Sequence, residues 1–108
     1  MSKVAFFPHG EQFEDQWKLR DWLETSLRNG LSGKYTMDKA TNISSLEAGA
    51  IVFFHKNNYI VGYAVVEEPK RALTKNEIDS DIFGGQNVIK FIPETIVTLR
   101  DDQFFPLA

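Results

Sequence analysis

The apolar positions of the chain fall into one helix-like stretch and several short strand-like runs. From Glu11 to Asn29, the residues Phe13, Trp17, Leu19, Leu23 and Leu27 share one stripe at a helical period. Acidic residues crowd the first turns, Arg28 sits in the last, and Gly30 supplies a stop. Trp22 projects roughly 140° from the centre of the stripe. So large a ring on the wrong face calls for an overlying loop or terminus, or marks a contact surface.

Strands are expected at 3–8, around Lys34 to Met37, over 87–93 and near Ile96 to Leu99. Between them, "TKNE" reads as a capping box with Thr74 as N-cap and Glu77 at the third position. Ile78 and Ile82 then share the buried face of a short helix. Pro69 should end the strand before it. The tail with Phe104, Phe105 and Leu107 is either docked on the core or cut from a longer protein.

The stretch "GAIVFFHKNNYIVGYAVV", residues 49 to 66, reads as a hairpin about Asn57-Asn58, since Asn tolerates the positive φ of a two-residue turn. Straight pairing sets Lys56 opposite Tyr59, Phe54 opposite Val61 and Phe53 opposite Gly62. Both faces are then apolar. One is expected to line a small barrel and the other to receive the first helix, with Phe53 lying over Gly62. The fold class that follows is α+β: a small, closed or nearly closed β-barrel of about five or six strands, decorated by two helices.

Composition narrows the function. A chain of 108 residues suits one domain over 1–108, alone or cut from a longer chain. No run approaches the ~20 apolar residues of a membrane span, and no signal peptide is evident, so a cytoplasmic protein without membrane contact is expected. There is no cysteine, and two histidines alone are too few for a zinc site although carboxylates could complete one, so neither metal nor cofactor is expected. The net charge of −3 argues against indiscriminate nucleic-acid binding and leaves room for a local basic patch.

No nucleophile elbow, P-loop, zincin or dinucleotide motif is present. His9 and His55 read as structural. What stands out is aromatic: Trp22, Tyr35, Met37, Phe54, Tyr59 and Tyr63 can gather near one end of a barrel. The loop after Tyr35 offers Asp38, Thr41 and Asn42 to the edge of a flat ligand. A flipped nucleobase is held by such a combination of ring faces and edge hydrogen bonds. Lys34, Lys39, Lys70, Arg71 and Lys75 are the candidate phosphate contacts.

"SSLEAGAIVFFHKNNYIVGYAVVEE" resembles the central part of the PUA-like superfamily, EVE domains in particular, with YTH domains as relatives. Gly49, Phe53, Phe54, Gly62, Ala64 and Val66 match the pattern, and Ala50 stands where those families carry Asp. "IKFIPETIVTL" is similar to their closing strand. The resemblance implies a nucleic-acid-binding module that flips a modified base, in DNA ahead of RNA, into an aromatic pocket. Such modules also imply a fused effector or a restriction partner. The pocket would comprise Trp22, Tyr35, Met37, Asp38, Asn42, Phe54 and Tyr63, and no residue would be catalytic.

Two alternatives stand beside this. "SGKYTMDKAT" is similar to the loop of ASCH domains, which implies an amidohydrolase of acylated nucleosides with Lys34 as base and Thr36 and Glu67 or Glu68 assisting. Trp22 and the apolar tail would instead suit a protein-interaction module.

Overall fold

The computed structural model describes residues 3–37, 46–80 and 84–107. Seven strands form one sheet: β1 (Val4–Pro8), β2 (Lys34–Met37), β3 (Ile51–Lys56), β4 (Tyr59–Ala72), β5 (Asn87–Phe91), β6 (Val97–Thr98) and β7 (Phe105–Pro106). Helix α1 (Gln16–Trp22) follows β1, and α2 (Lys75–Asp79) follows β4. The strand order is β1-β3-β4-β5-β2, with β6 and β7 also paired to β4. The expected α+β class holds, with more strands than foreseen. The sheet is curled but not closed, and β1 and β2 are its two ends.

The curl comes from β4. Its first half pairs with β3 and its second half with β5, with register shifts between Val66 and Glu68 and between Glu68 and Arg71. Pro69 lies in the second shift. It has no N–H to give, so an irregular stretch accommodates it, and the strand bends there instead of ending as expected.

The hairpin turns at Asn57 and Asn58 as expected, with φ of 54° and 65°. Its register then departs from straight pairing. His55 opposes Ile60, but Phe54 opposes Gly62 and Phe53 opposes Tyr63, so Val61 is an extra residue. One inserted residue exchanges the faces of everything beyond it. Val52, Phe54, Gly62, Ala64 and Val66 all turn inward and are buried, whereas Phe53 and Tyr63 turn outward.

The two-sided covering expected for this hairpin is therefore not what forms. Leu19, Leu23 and Leu27 join Val52, Phe54, Ala64, Ile89 and Phe91 in a single core on the concave face. Each of these leucines is fully buried and contributes about 1.5–3 kcal/mol. Gly62 belongs to this inner face, where a Cβ would stand 2.6 Å from the Val97 carbonyl and 3.1 Å from Leu23 Cδ1. Its bareness lets β6 and the helix approach together. It does not serve a ring of Phe53.

The helix begins later than its apolar period suggests. Asp15 is the N-cap, its carboxylate accepting from Lys18 N–H at 2.9 Å. Beyond Trp22 the helix widens over Leu23–Gly30, with Leu31 N–H reaching Ser26 O at 2.7 Å, a five-residue span. Trp17 leaves the stripe for the surface and packs on Phe104, which also lies under Arg20 at 5.5 Å. The described part of the tail is thus docked, through Phe104 and through pairing of β7 with β4. The capping box at Thr74 and Glu77 forms as expected. Ile78 is exposed, not buried, and Ile82 lies outside the described residues.

Candidate functional site

Where the two ends of the sheet face each other, side chains bridge what backbone hydrogen bonds do not. Phe7 on β1 meets Tyr35 on β2 with ring centroids 5.5 Å apart. His9, just past β1, receives a hydrogen bond from the Tyr35 hydroxyl on Nε2 at 2.7 Å and faces the His55 carbonyl through Nδ1 at 3.2 Å. A neutral imidazole with its proton on Nδ1 satisfies both contacts. Burial pushes the His9 pKa down to about 4 and the Tyr35 hydroxyl up to about 12, so both groups are uncharged at neutral pH.

Beside this bridge a cavity of about 340 Å³ opens, lined by Gln12, Phe13, Trp22, Tyr35 and Thr36. Three rings meet edge to face at its wall, with Trp22 against Phe13 at 5.5 Å and against Tyr35 at 5.9 Å. This answers the question of Trp22. It projects off the leucine stripe because β2 brings Tyr35 to meet it. Gln12 adds an amide whose oxygen accepts from Gly10 N–H at 3.0 Å, which leaves the NH₂ as a donor. Thr36 adds a hydroxyl. Among the lining residues none is charged. The site therefore suits a flat, uncharged ligand, with ring faces for its plane and neutral polar groups for its edge.

Of the residues expected from sequence, Trp22 and Tyr35 come together here. Phe54 is fully buried beneath Tyr35, 5.9 Å away, and supports the pocket without lining it. Met37 shares the inner side of β2 with Tyr35 and packs on the core. Tyr63 is on the outer face of the sheet, remote from this cavity, because of the slip at Val61. Asp38, Lys39 and Asn42 lie outside the described residues. Gln12, Phe13 and His9 were not foreseen as site residues, and Thr36 was expected only in the hydrolase alternative. Phe13 reads as part of the helix stripe, and nothing local marks Gln12 or His9.

Two of the candidate phosphate contacts, Arg71 and Lys34, are engaged in ion pairs. Arg71 makes a two-pronged bond to Glu77 at 2.7 and 3.0 Å, and Lys34 lies 3.5 Å from the same carboxylate. Lys90, not among the candidates, is paired with Glu67. Lys70 and Lys75 remain as candidates among the described residues. Arg71, the Thr74 backbone N–H and the cap together hold the Glu77 carboxyl well below the usual carboxylate range. Its stabilising contribution is present above pH 4.5 and is lost as pH falls further, so Glu77→Gln should flatten the acid limb of the stability curve below pH 4.5. Urea unfolding at pH 3 and pH 5 reads this directly.

Among the described residues no cluster of three or more His, Asp or Glu could hold a metal ion, and no helix is long and apolar enough to cross a membrane. No protein-family model matches the chain, and no curated protein is significantly similar to it.

Proposed function

We propose that this protein reads a modified nucleobase, flipped from DNA in preference to RNA, in the cavity lined by Trp22 and Tyr35. The observation that carries this reading is the uncharged aromatic cavity at the seam, whose volume of about 340 Å³ falls in the range of small-ligand pockets. A base stacks on one exposed ring face at the cavity wall and offers its edge to the Gln12 amide and the Thr36 hydroxyl. Base–aromatic stacking is worth about 1–3 kcal/mol per base. Trp22→Ala should therefore weaken binding of the preferred modified oligonucleotide by about 10- to 100-fold. Fluorescence anisotropy measures this, with circular dichroism to check that the variant folds.

The ion pairs on the outer side of β2, β4 and β5 shape the second half of the reading. With Arg71 and Lys34 held by Glu77, the electrostatic share of binding is small. Among the described residues two candidate lysines remain, Lys70 and Lys75, and with Lys39 adding at most one contact the log–log salt slope is roughly −2 to −3. A slope of roughly −5 or steeper would contradict this.

The hydrolase alternative finds less support. Lys34, the base it requires, faces Glu77 across 3.5 Å, while the cavity lies with Trp22 and Tyr35. Turnover of acylated cytidine, lost in Lys34→Ala, would favour it over the reader.

A further inference from the structure

The Gln12 amide at the seam cavity has its orientation set by chemistry. Gly10 N–H can only donate, so the atom that meets it at 3.0 Å is the amide oxygen Oε1, and Nε2 is left as the free end of the fork. Gly10 is itself pinned. Its carbonyl accepts from Lys56 Nζ at 2.9 Å and from Phe13 N–H at 3.3 Å. Lys56 is buried, and the backbone N–H of His9, next to Gly10, donates to the His55 carbonyl at 3.1 Å. The turn that carries Gln12 is thus anchored to the end of β3, and its amide is arranged before a ligand arrives.

The Tyr35 oxygen has the opposite character. Its one proton is committed to His9 Nε2, so toward anything else it only accepts. From this we infer that Gln12 is the specificity-determining residue of the cavity, and that its Nε2 donor selects a base with a carbonyl on its edge over the same base with an amine there. The inference rests on the nucleobase reading above. A carbonyl oxygen projects from the edge of a base and offers lone pairs to the Gln12 donor. An exocyclic amine in its place sets donor against donor and leaves both without a partner. A site built to hydrogen-bond one group rejects the analogue that lacks it, whereas a purely apolar pocket accepts either. Derivatives of uracil and hypoxanthine are therefore expected to bind ahead of those of cytosine and adenine.

Matched duplexes test this, each with the target base in a one-nucleotide bulge, where neither member of a pair has a partner to lose. One pair is the hydroxymethyl derivative of uracil against that of cytosine, and the other is hypoxanthine against adenine. By fluorescence anisotropy the wild type should bind the oxo member of each pair about tenfold more tightly. Gln12→Met keeps the reach of the side chain without the donor and should bind both members within about twofold of each other. Gln12→Glu presents an acceptor and should turn the preference toward the amino member. Gln12 is exposed, so both variants should keep the wild-type circular dichroism spectrum. Equal binding of the two members by the wild type, or an oxo preference that persists in Gln12→Met, overturns the inference. Trp22→Ala separates this from failure of the nucleobase reading. If that change weakens binding of both members and the wild type shows no oxo preference, the selection by Gln12 alone is wrong. If it alters binding of neither, no base occupies the cavity and both readings fall.

Discussion

Acidification from pH 6.5 to pH 4 should cost the folded protein about 3 kcal/mol through His9 alone. His9 is enclosed by Phe13, Tyr35 and Phe54, and its two ring nitrogens are committed to the Tyr35 hydroxyl and the His55 carbonyl. Burial is the chief cause of its lowered pKa, with the nearby His55 and Lys56 charges adding to it. Unfolded, the same imidazole binds a proton near pH 6.5. Between the two values the unfolded chain holds a proton that the folded chain lacks, so falling pH favours unfolding. The contribution is fully present above pH 6.5, declines through the window and is exhausted below about pH 4. Urea titrations at half-unit pH steps should show this slope in the wild type and its absence in His9→Gln. His55, whose pKa is also lowered by burial but which is more exposed, should leave most of the slope in place when changed to Gln. A slope that survives in His9→Gln would mean that the seam is not held by a neutral imidazole.

Gly33→Ala should destabilise the fold by about 4 kcal/mol, the sum of a strained left-handed backbone and a backbone clash. Gly33 has φ of 85°, and a Cβ there would stand 2.1 Å from the Phe91 carbonyl oxygen. The residue joins three elements. Its N–H donates to Leu27 O at 2.7 Å, and its carbonyl accepts from Phe91 N–H at 2.8 Å. It thereby ends the helix, starts β2 and seats β2 on β5. Any shift at Gly33 moves Tyr35, two residues on, relative to Trp22. The variant should therefore lose ligand binding even at low temperature, where enough of it remains folded to measure. The neighbouring Ser32 also has a positive φ, of 51°, so Ser32→Gly should change stability by less than about 1 kcal/mol. Thermal unfolding of the two variants separates a positional requirement from general intolerance of the loop.

Local signals were legible in the sequence wherever the deciding interaction is local. Asn57-Asn58 specifies its own turn, Thr74 and Glu77 specify their own cap, and the leucine period specifies the buried side of the helix. The strand at 34–37 and the five-residue first strand follow from short apolar runs. What could not be read depends on contacts far along the chain. The extra residue at Val61 is tied to Gly62 lying against Val97 and Leu23, about forty residues away on either side. From that single slip follow the exchange of hairpin faces, the removal of Tyr63 from the pocket and the exposure of the Phe6–Phe53–Tyr63 ladder.

Pro69 reads as a strand end because its missing N–H is evident in sequence, whereas the register shifts that absorb it are properties of β5. Two of the three rings of the pocket were legible as the pair Trp22 and Tyr35, since a misplaced Trp and a lone Tyr beside a loop each signal a missing partner. His9 gave no such signal. Its role arises only when β1 and β2, joined to opposite ends of the sheet, curl into contact.

The pocket at that contact is the centre of the functional reading, and one comparison tests it most directly. Wild type and Trp22→Ala are titrated, at one fixed salt concentration, with duplexes that carry a panel of modified bases and with their plain counterparts. The expected result is that at least one modified duplex binds the wild type about tenfold or more tightly than its plain partner, and that Trp22→Ala loses this preference while keeping the weak affinity for plain duplex. Equal affinity for every duplex, or a preference that survives in Trp22→Ala, would contradict it.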